Sequence, residues 1–157
     1  MNDRQEIKFL ADSMLGRLAK WLRVMGFDTH YQPVYELETL AHLIRDGRYL
    51  LTRNRHIIDK YPDSVFIHSD HVKDQLLEIR DLGHLPAGAS EWFIRCLNCN
   101  IHLKGTSLED AREHIPEYVF HQNITSVRFC PSCGRFFWPG SHRNNMISQL
   151  AEWGFFK

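Results

Sequence analysis

The sequence predicts an open, mostly parallel α/β sheet followed by a small four-cysteine zinc ribbon. Three observations carry this. Short apolar runs alternate with helical stripes through the first half of the chain, every cysteine lies in one of two C-x-x-C pairs, and a stretch bearing Pro86 and Gly88 separates the two regions. A chain of 157 residues suffices for one domain or two small ones. The expected boundaries are 1–83 for the sheet domain, 84–91 for a linker and 92–157 for the ribbon with a C-terminal helix.

Residues 7–11 read as a strand that delivers Asp12 at its carboxyl end, where Asp12 or Ser13 can cap a helix. In that helix Leu15, Leu18, Leu22 and Met25 form one apolar stripe, and Gly26 stops it. Arg17, Lys20 and Arg23 fall away from the stripe as a basic strip, either a solvated face or a phosphate contact. Gly16 costs about 1 kcal/mol in a helix relative to alanine, which points to close backbone approach or to a tolerated surface glycine. Residues 28–31 form a candidate second strand. A helix over 36–45 follows, with Leu37, Leu40, Ala41 and Ile44 inward. Residues 49–52 are a buried parallel strand ending at Arg53, Asn54 and Arg55. A short helix over 57–61, a strand over 64–68 and a helix marked by Val72, Leu76 and Ile79 complete the alternation. Ligands of such sheets bind beyond the carboxyl ends of the strands, where Asp12 and Asn54 lie. Asp12 is thus either a plain cap or a functional carboxylate.

Cys96, Cys99, Cys130 and Cys133 have the spacing of two knuckles that fill one tetrahedral zinc site. Pro131 and Gly134 suit the tight turn. Two disulfides or two redox dithiols are the alternatives, but disulfides need an oxidising compartment and redox pairs usually come singly. The gap between the pairs exceeds the common ribbon spacing of about 15–20 residues, so it must carry an insert. Ser107 through Asp110 offer a capping box for a helix ending near Pro116. Arg135 with Phe136, Phe137 and Trp138 suits either base stacking or the packing of a small core. His142, in the next turn, is a candidate site residue or a brace for backbone. Met146, Ile147, Leu150 and Trp153 mark the last helix.

The 19 basic and 19 acidic residues cancel, so any contact with nucleic acid must come from a local patch. Ten histidines are scattered without metalloprotease spacing. The charged first residues lack the apolar segment of a signal peptide and no run approaches a membrane span, which gives the cytoplasm as the expected location.

The stretch FLADSMLGRLAKWLRVMGFDT at 9–29 resembles the opening signature of the Mut-seven C-terminal ribonuclease domain family. LLTR at 50–53 resembles its second motif, and RCLNCN at 95–100 and CPSCGR at 130–135, with Trp138, Gly140, Ser141 and His142, resemble its zinc ribbon. The resemblance implies a PIN-like nuclease domain fused to a ribbon, with magnesium or manganese held by carboxylates and RNA as the partner. It implies Asp12 as the first acid and Glu36 or Glu38 as the second. The family's Leu-Thr-Arg is normally followed by aspartate, where this chain has Asn54. Asparagine offers a carbonyl oxygen but one negative charge fewer. On this reading Arg17, Lys20, Arg23, Arg53 and Arg55 position phosphates, and the ribbon, through Arg135, Trp138 and His142, helps hold RNA.

Two further readings accompany the metal-dependent ribonuclease. One is a lapsed nuclease scaffold that binds RNA, a ribosome or a protein without cutting, which Asn54 favours. The other is a thiol sensor whose oxidation ejects zinc.

Overall fold

A computed structural model of the chain describes residues 6–85 and 91–155, the side chains of residues 123 and 124 excepted. Residues 86–90 of the expected linker and the charged residues 1–5 lie outside the described residues. The chain divides into two compact units, Met1–Pro86 and Ala87–Lys157.

The first unit runs β1 (Lys8–Ala11), α1 (Gly16–Val24), β2 (Asp28–Tyr31), α2 (Leu37–Arg45), β3 (Tyr49–Thr52), α3 (Arg55–Lys60), β4 (Val65–Phe66) and α4 (Val72–Asp81). The strands form one parallel sheet in the order β2-β1-β3-β4. Register pairs Leu10 with Leu50, and these two pack on Leu40, Leu43 and Ile44 of α2 and Ile57 of α3. Strand alternation turns Phe9, Ala11 and Leu51 to the opposite face, and all three are fully buried. The expected stripe of α1 is buried throughout, from Leu15 to Met25. Burying each leucine contributes about 1.5–3 kcal/mol, which is why short strands suffice here. Leu37 departs from the inward stripe expected for α2: it is 67% exposed. It is the first helical residue, one turn before Leu40 reaches the sheet.

Because β1 lies between β2 and β3, the chain leaves β1 to one side and later returns to the other. The connections part at the carboxyl ends of β1 and β3, which opens a crevice there. Gly16 sits at its edge. A Cβ on Gly16 would stand 2.9 Å from the Tyr31 hydroxyl oxygen, so close approach is the reason for the glycine. Gly26, at φ 92°, ends α1 as expected.

In the second unit β5 (Lys104–Gly105), β6 (Arg128–Phe129) and β7 (Phe136–Phe137) form an antiparallel sheet. The insert holds two helices, α5 (Leu108–His114) and α6 (Glu117–Asn123). Ser107 Oγ caps α5 by accepting from the Asp110 amide at 3.2 Å. The sequence signalled only the first helix. Pro116 ends it, but the Pro116 carbonyl also accepts from the Val119 and Phe120 amides, so the same proline opens α6. Ala111, Ile115, Val119 and Val127 form a small core, with Phe120, Phe136 and Trp138 against it. α7 (Ser141–Glu152) buries Met146 and Leu150.

Gly16→Val should lower stability by about 1–3 kcal/mol through overpacking against Tyr31. A thermal melt reads this directly, and an unchanged midpoint would show that the phenol swings clear at little cost.

Candidate functional site

Asp12 ends up 2% exposed at the carboxyl end of β1. A buried carboxylate needs donors, and three converge on it. Oδ1 accepts from the Met14 amide at 2.8 Å; Oδ2 accepts from the Thr52 hydroxyl at 2.5 Å and the Arg53 amide at 2.9 Å. Its own amide donates to the Leu51 carbonyl at 3.0 Å. The residue therefore fastens the end of β1 to the end of β3. It is not the side-chain cap of α1, whose N-cap residue is Leu15.

Thr52 Oγ1 relays this contact, accepting from the Asn54 amide at 3.0 Å while it donates to Asp12. The Asn54 side-chain oxygen turns the other way and accepts from the His56 amide at 3.0 Å as the N-cap of α3. Sequence reasoning reached Asp12 and Asn54 but missed the threonine between them. The signal was present, since a polar Thr52 ends an otherwise apolar strand.

It also missed two tyrosines. The Tyr35 hydroxyl donates to the Ala11 carbonyl at 2.9 Å, and the Tyr31 hydroxyl donates to the Ser13 carbonyl at 3.0 Å. Both neighbours of Asp12 are thus held by phenols from the β2–α2 segment. The Tyr35 oxygen also accepts from the Gln32 amide at 2.9 Å and lies 3.2 Å from His30 Nδ1. With its only proton given to Ala11, this oxygen assigns the proton of that contact to Nδ1. Burial pushes the Tyr35 phenol up to about 12, so it stays a donor at ordinary pH. Burial, then Arg48 and Arg23, lower the His30 value below the ordinary one, so its ring is neutral at pH 7.

In the second unit the four cysteine sulfurs all lie within 4.8 Å of one another. Cys96 Sγ and Cys133 Sγ are 3.8 Å apart, the edge of a tetrahedron with metal–sulfur bonds of about 2.3 Å. The two knuckles repeat each other bond for bond. The Cys99 amide points at Cys96 Sγ and the Cys133 amide at Cys130 Sγ, each at 3.4 Å. The Asn100 and Gly134 amides donate to the Cys96 and Cys130 carbonyls, each at 2.9 Å. Gly134 has φ 74° as its turn requires, and Asn100 takes the equivalent place at φ 67°. Burial pushes the Cys96 thiol up to about 12 and raises Cys99, whereas the Arg135 amide holds exposed Cys133 down at about 7. Four soft donors, closed on one point with no oxygen ligand among them, fit zinc in a structural role.

A family model described as the Mut7-C RNAse domain matches residues 7–150. The chain belongs to that family. No curated protein matches it. The Mut7-C match takes in both Asp12 and the cysteine cluster.

The other residues expected to act in this Mut7-C chain are distributed as follows. Arg17, Lys20 and Arg55 are exposed and Arg53 is half-buried. Arg23 breaks the expected basic strip: it is 7% exposed, and its Nε donates to the Thr29 carbonyl at 2.9 Å. The last turn of α1 packs toward β2, so its position off the leucine stripe does not place it in water. Glu36 and Glu38 are exposed at the start of α2. Among the described residues, the cysteines are the only three or more His, Cys, Asp or Glu side chains whose ligand atoms converge, so Asp12, Glu36 and Glu38 build no carboxylate cage. Of about four acceptor directions on Asp12, one on Oδ1 is left. That fits a magnesium-type ion taking one protein oxygen and the rest from water and substrate phosphate. On the ribbon, Arg135 and His142 are exposed, while Trp138 is half-buried against the small core.

Thr52→Val removes a donor to Asp12 and orphans the Asn54 amide. Urea denaturation should show a loss of about 1–3 kcal/mol, and a neutral result would mean that water replaces the hydroxyl. The purified protein should carry about one zinc per chain by elemental analysis, and Cys96→Ser should lose it. Zinc retention should fall as pH is lowered, because protons compete for the four sulfurs. Retention independent of pH would argue against thiolate ligation.

Proposed function

We propose that the chain is a metal-dependent ribonuclease of the PIN-like class, acting on RNA phosphodiesters with magnesium or manganese at Asp12. One observation carries the reading: the Asp12 carboxylate is fixed at the switch point of the parallel sheet, with one oxygen direction uncommitted. Membership of an RNase-domain family supports it. A divalent ion, when bound, supplies charge neutralisation to the phosphodiester under attack. The chain's own residues do the placing. Asp12 holds through Oδ1, because Oδ2 is taken by Thr52 and Arg53. Glu36 or Glu38, exposed at the start of α2, is the second acid, acting through the ion's water because neither converges on Asp12. Arg17, Lys20, Arg53 and Arg55 take phosphates around the crevice, without Arg23. Arg135, Trp138 and His142 form the RNA contact of the ribbon, which zinc on Cys96, Cys99, Cys130 and Cys133 folds. A reduced four-thiol site belongs in the cytoplasm.

A second reading has an observation of its own. The Asn54 side chain is committed to capping α3 and no carboxylate cage forms among the described residues, which favours a scaffold that binds RNA, a ribosome or a protein without cutting. It predicts salt-sensitive RNA binding with no turnover.

Cleavage of a mixed RNA pool with added magnesium or manganese separates the two. Asp12→Asn should abolish cleavage. Asn54→Asp should raise it severalfold, because aspartate caps a helix as well as asparagine does and adds a charge for the ion. Melting curves of both variants check the fold. Cleavage that survives Asp12→Asn would sink the ribonuclease assignment, and silence of the wild type with activity in Asn54→Asp would establish the non-cutting reading.

A further inference from the structure

The three-stranded sheet of the second unit has two unlike faces. Residues paired across an antiparallel sheet point to the same side, and neighbours along a strand point to opposite sides. Val127, Phe136 and Trp138 share one side, where Ala111, Ile115 and Val119 of the insert close the small core over them. Gly105, Arg128 and Phe137 are paired in register and turned the other way. Gly105 and Arg128 are exposed there and Phe137 is half-buried. A Cβ on Gly105 would meet no atom within 4 Å, so the space beside Arg128 is open.

Arg135 extends this row. The Cys130 amide donates to the Arg135 carbonyl at 2.8 Å, which carries the β6–β7 pairing one step further, and alternation sets exposed Arg135 on the side of Phe137. Arg128 Nη1 donates to the Thr125 and Val127 carbonyls at 3.0 and 3.1 Å, which orients the guanidinium without neutralising it. Residues 103–107, 126–130 and 135–139 hold no acid, whereas Glu109, Asp110, Glu113 and Glu117 all lie on α5 and α6, behind the sheet. Charge that cancels over the whole chain is thus separated across this unit.

We propose that the Gly105–Arg128–Phe137 face is where the ribbon touches RNA, with a base stacked on the Phe137 ring and phosphates on Arg128 and Arg135, which rests on RNA being the ligand of this chain. Two cations beside an aromatic ring, with no acid among them, match a strand that offers a phosphate and a base together. Stacking on a phenyl ring reads no sequence, so the contact adds affinity and leaves the choice of bases open. Trp138, one residue on, faces the core and holds the strand from behind.

The test is binding of labelled single-stranded RNA of mixed sequence to the full chain across a salt series, with no divalent ion so that no cleavage intervenes. Phe137→Leu keeps the apolar packing but loses the ring, and should weaken binding about fivefold, while Phe137→Trp should hold it. Arg128→Gln and Arg135→Gln should each lower the slope against salt by about 0.7. Arg112→Gln, on α5 over the Phe120 ring, should leave that slope unchanged. Zinc content and a thermal melt check the fold of every variant. Unchanged affinity in Phe137→Leu, or an equal loss of slope in Arg112→Gln, overturns the proposal. So does self-association of the wild type that Phe137→Leu abolishes, which would make the face a contact between copies. The expected binding pattern without cleavage under magnesium or manganese would keep the face and sink the ribonuclease reading. Asp12-dependent cleavage, with all these variants binding as the wild type does, would do the reverse. No RNA binding at all would sink both.

Discussion

The Asp12 carboxylate is the constraint on which the first unit depends. A negative charge at 2% exposure is costly unless it is fully solvated by protein donors. The donors lie on different segments: Met14 from the turn after β1, and Thr52 and Arg53 from the end of β3. Satisfying the charge therefore fixes two strand ends relative to each other. Each charge-assisted bond contributes about 1.5–3 kcal/mol, and losing any one leaves a buried acceptor short. The tyrosines extend this constraint to a third segment, since Tyr31 and Tyr35 hold the carbonyls on either side of Asp12. The ends of β1 and β3 and the β2–α2 segment are consequently tied together by the protein's own hydrogen bonds.

That bonding bears on the chemistry. A carboxylate whose acceptor directions are mostly filled is well placed but poorly available. Asn54 deepens the compromise. Its carbonyl oxygen caps α3, a task aspartate would do as well, yet as a neutral group it adds no repulsion beside buried Asp12. The same neutrality weakens attraction for a divalent ion.

The second unit answers a different problem. Among the described residues its three strands are two residues each, and the cluster under them has four buried residues. Little apolar area is available to offset the ordering of the chain. The cysteine cluster can stand in for a larger core, because zinc bound there would contribute its binding free energy to folding. The matched knuckles show how backbone serves it: amides aimed at sulfur offset thiolate charge, and Asn100 and Gly134 turn left-handed to allow this.

Much of this was legible in residue pattern. The leucine stripe of α1, the apolar run of β3 and the two C-x-x-C turns are local signals, and each marks its element without reference to the rest of the chain. The helix α6 was not, because Pro116 reads as a stop although it also serves as a start. Arg23 was not, because position on a helix wheel gives a direction but not what lies there, and β2 lies there. The sequence by itself determined the alternation of the sheet, the position of Asp12 at a strand end and the zinc ligand set. Only the tertiary structure decided how Asp12 is satisfied and that Thr52, Tyr31 and Tyr35 hold its surroundings. The reason is physical. Apolar periodicity and cysteine spacing act over a few residues, whereas the hydrogen bonds around Asp12 join residues up to 41 apart, which meet only once the sheet has formed.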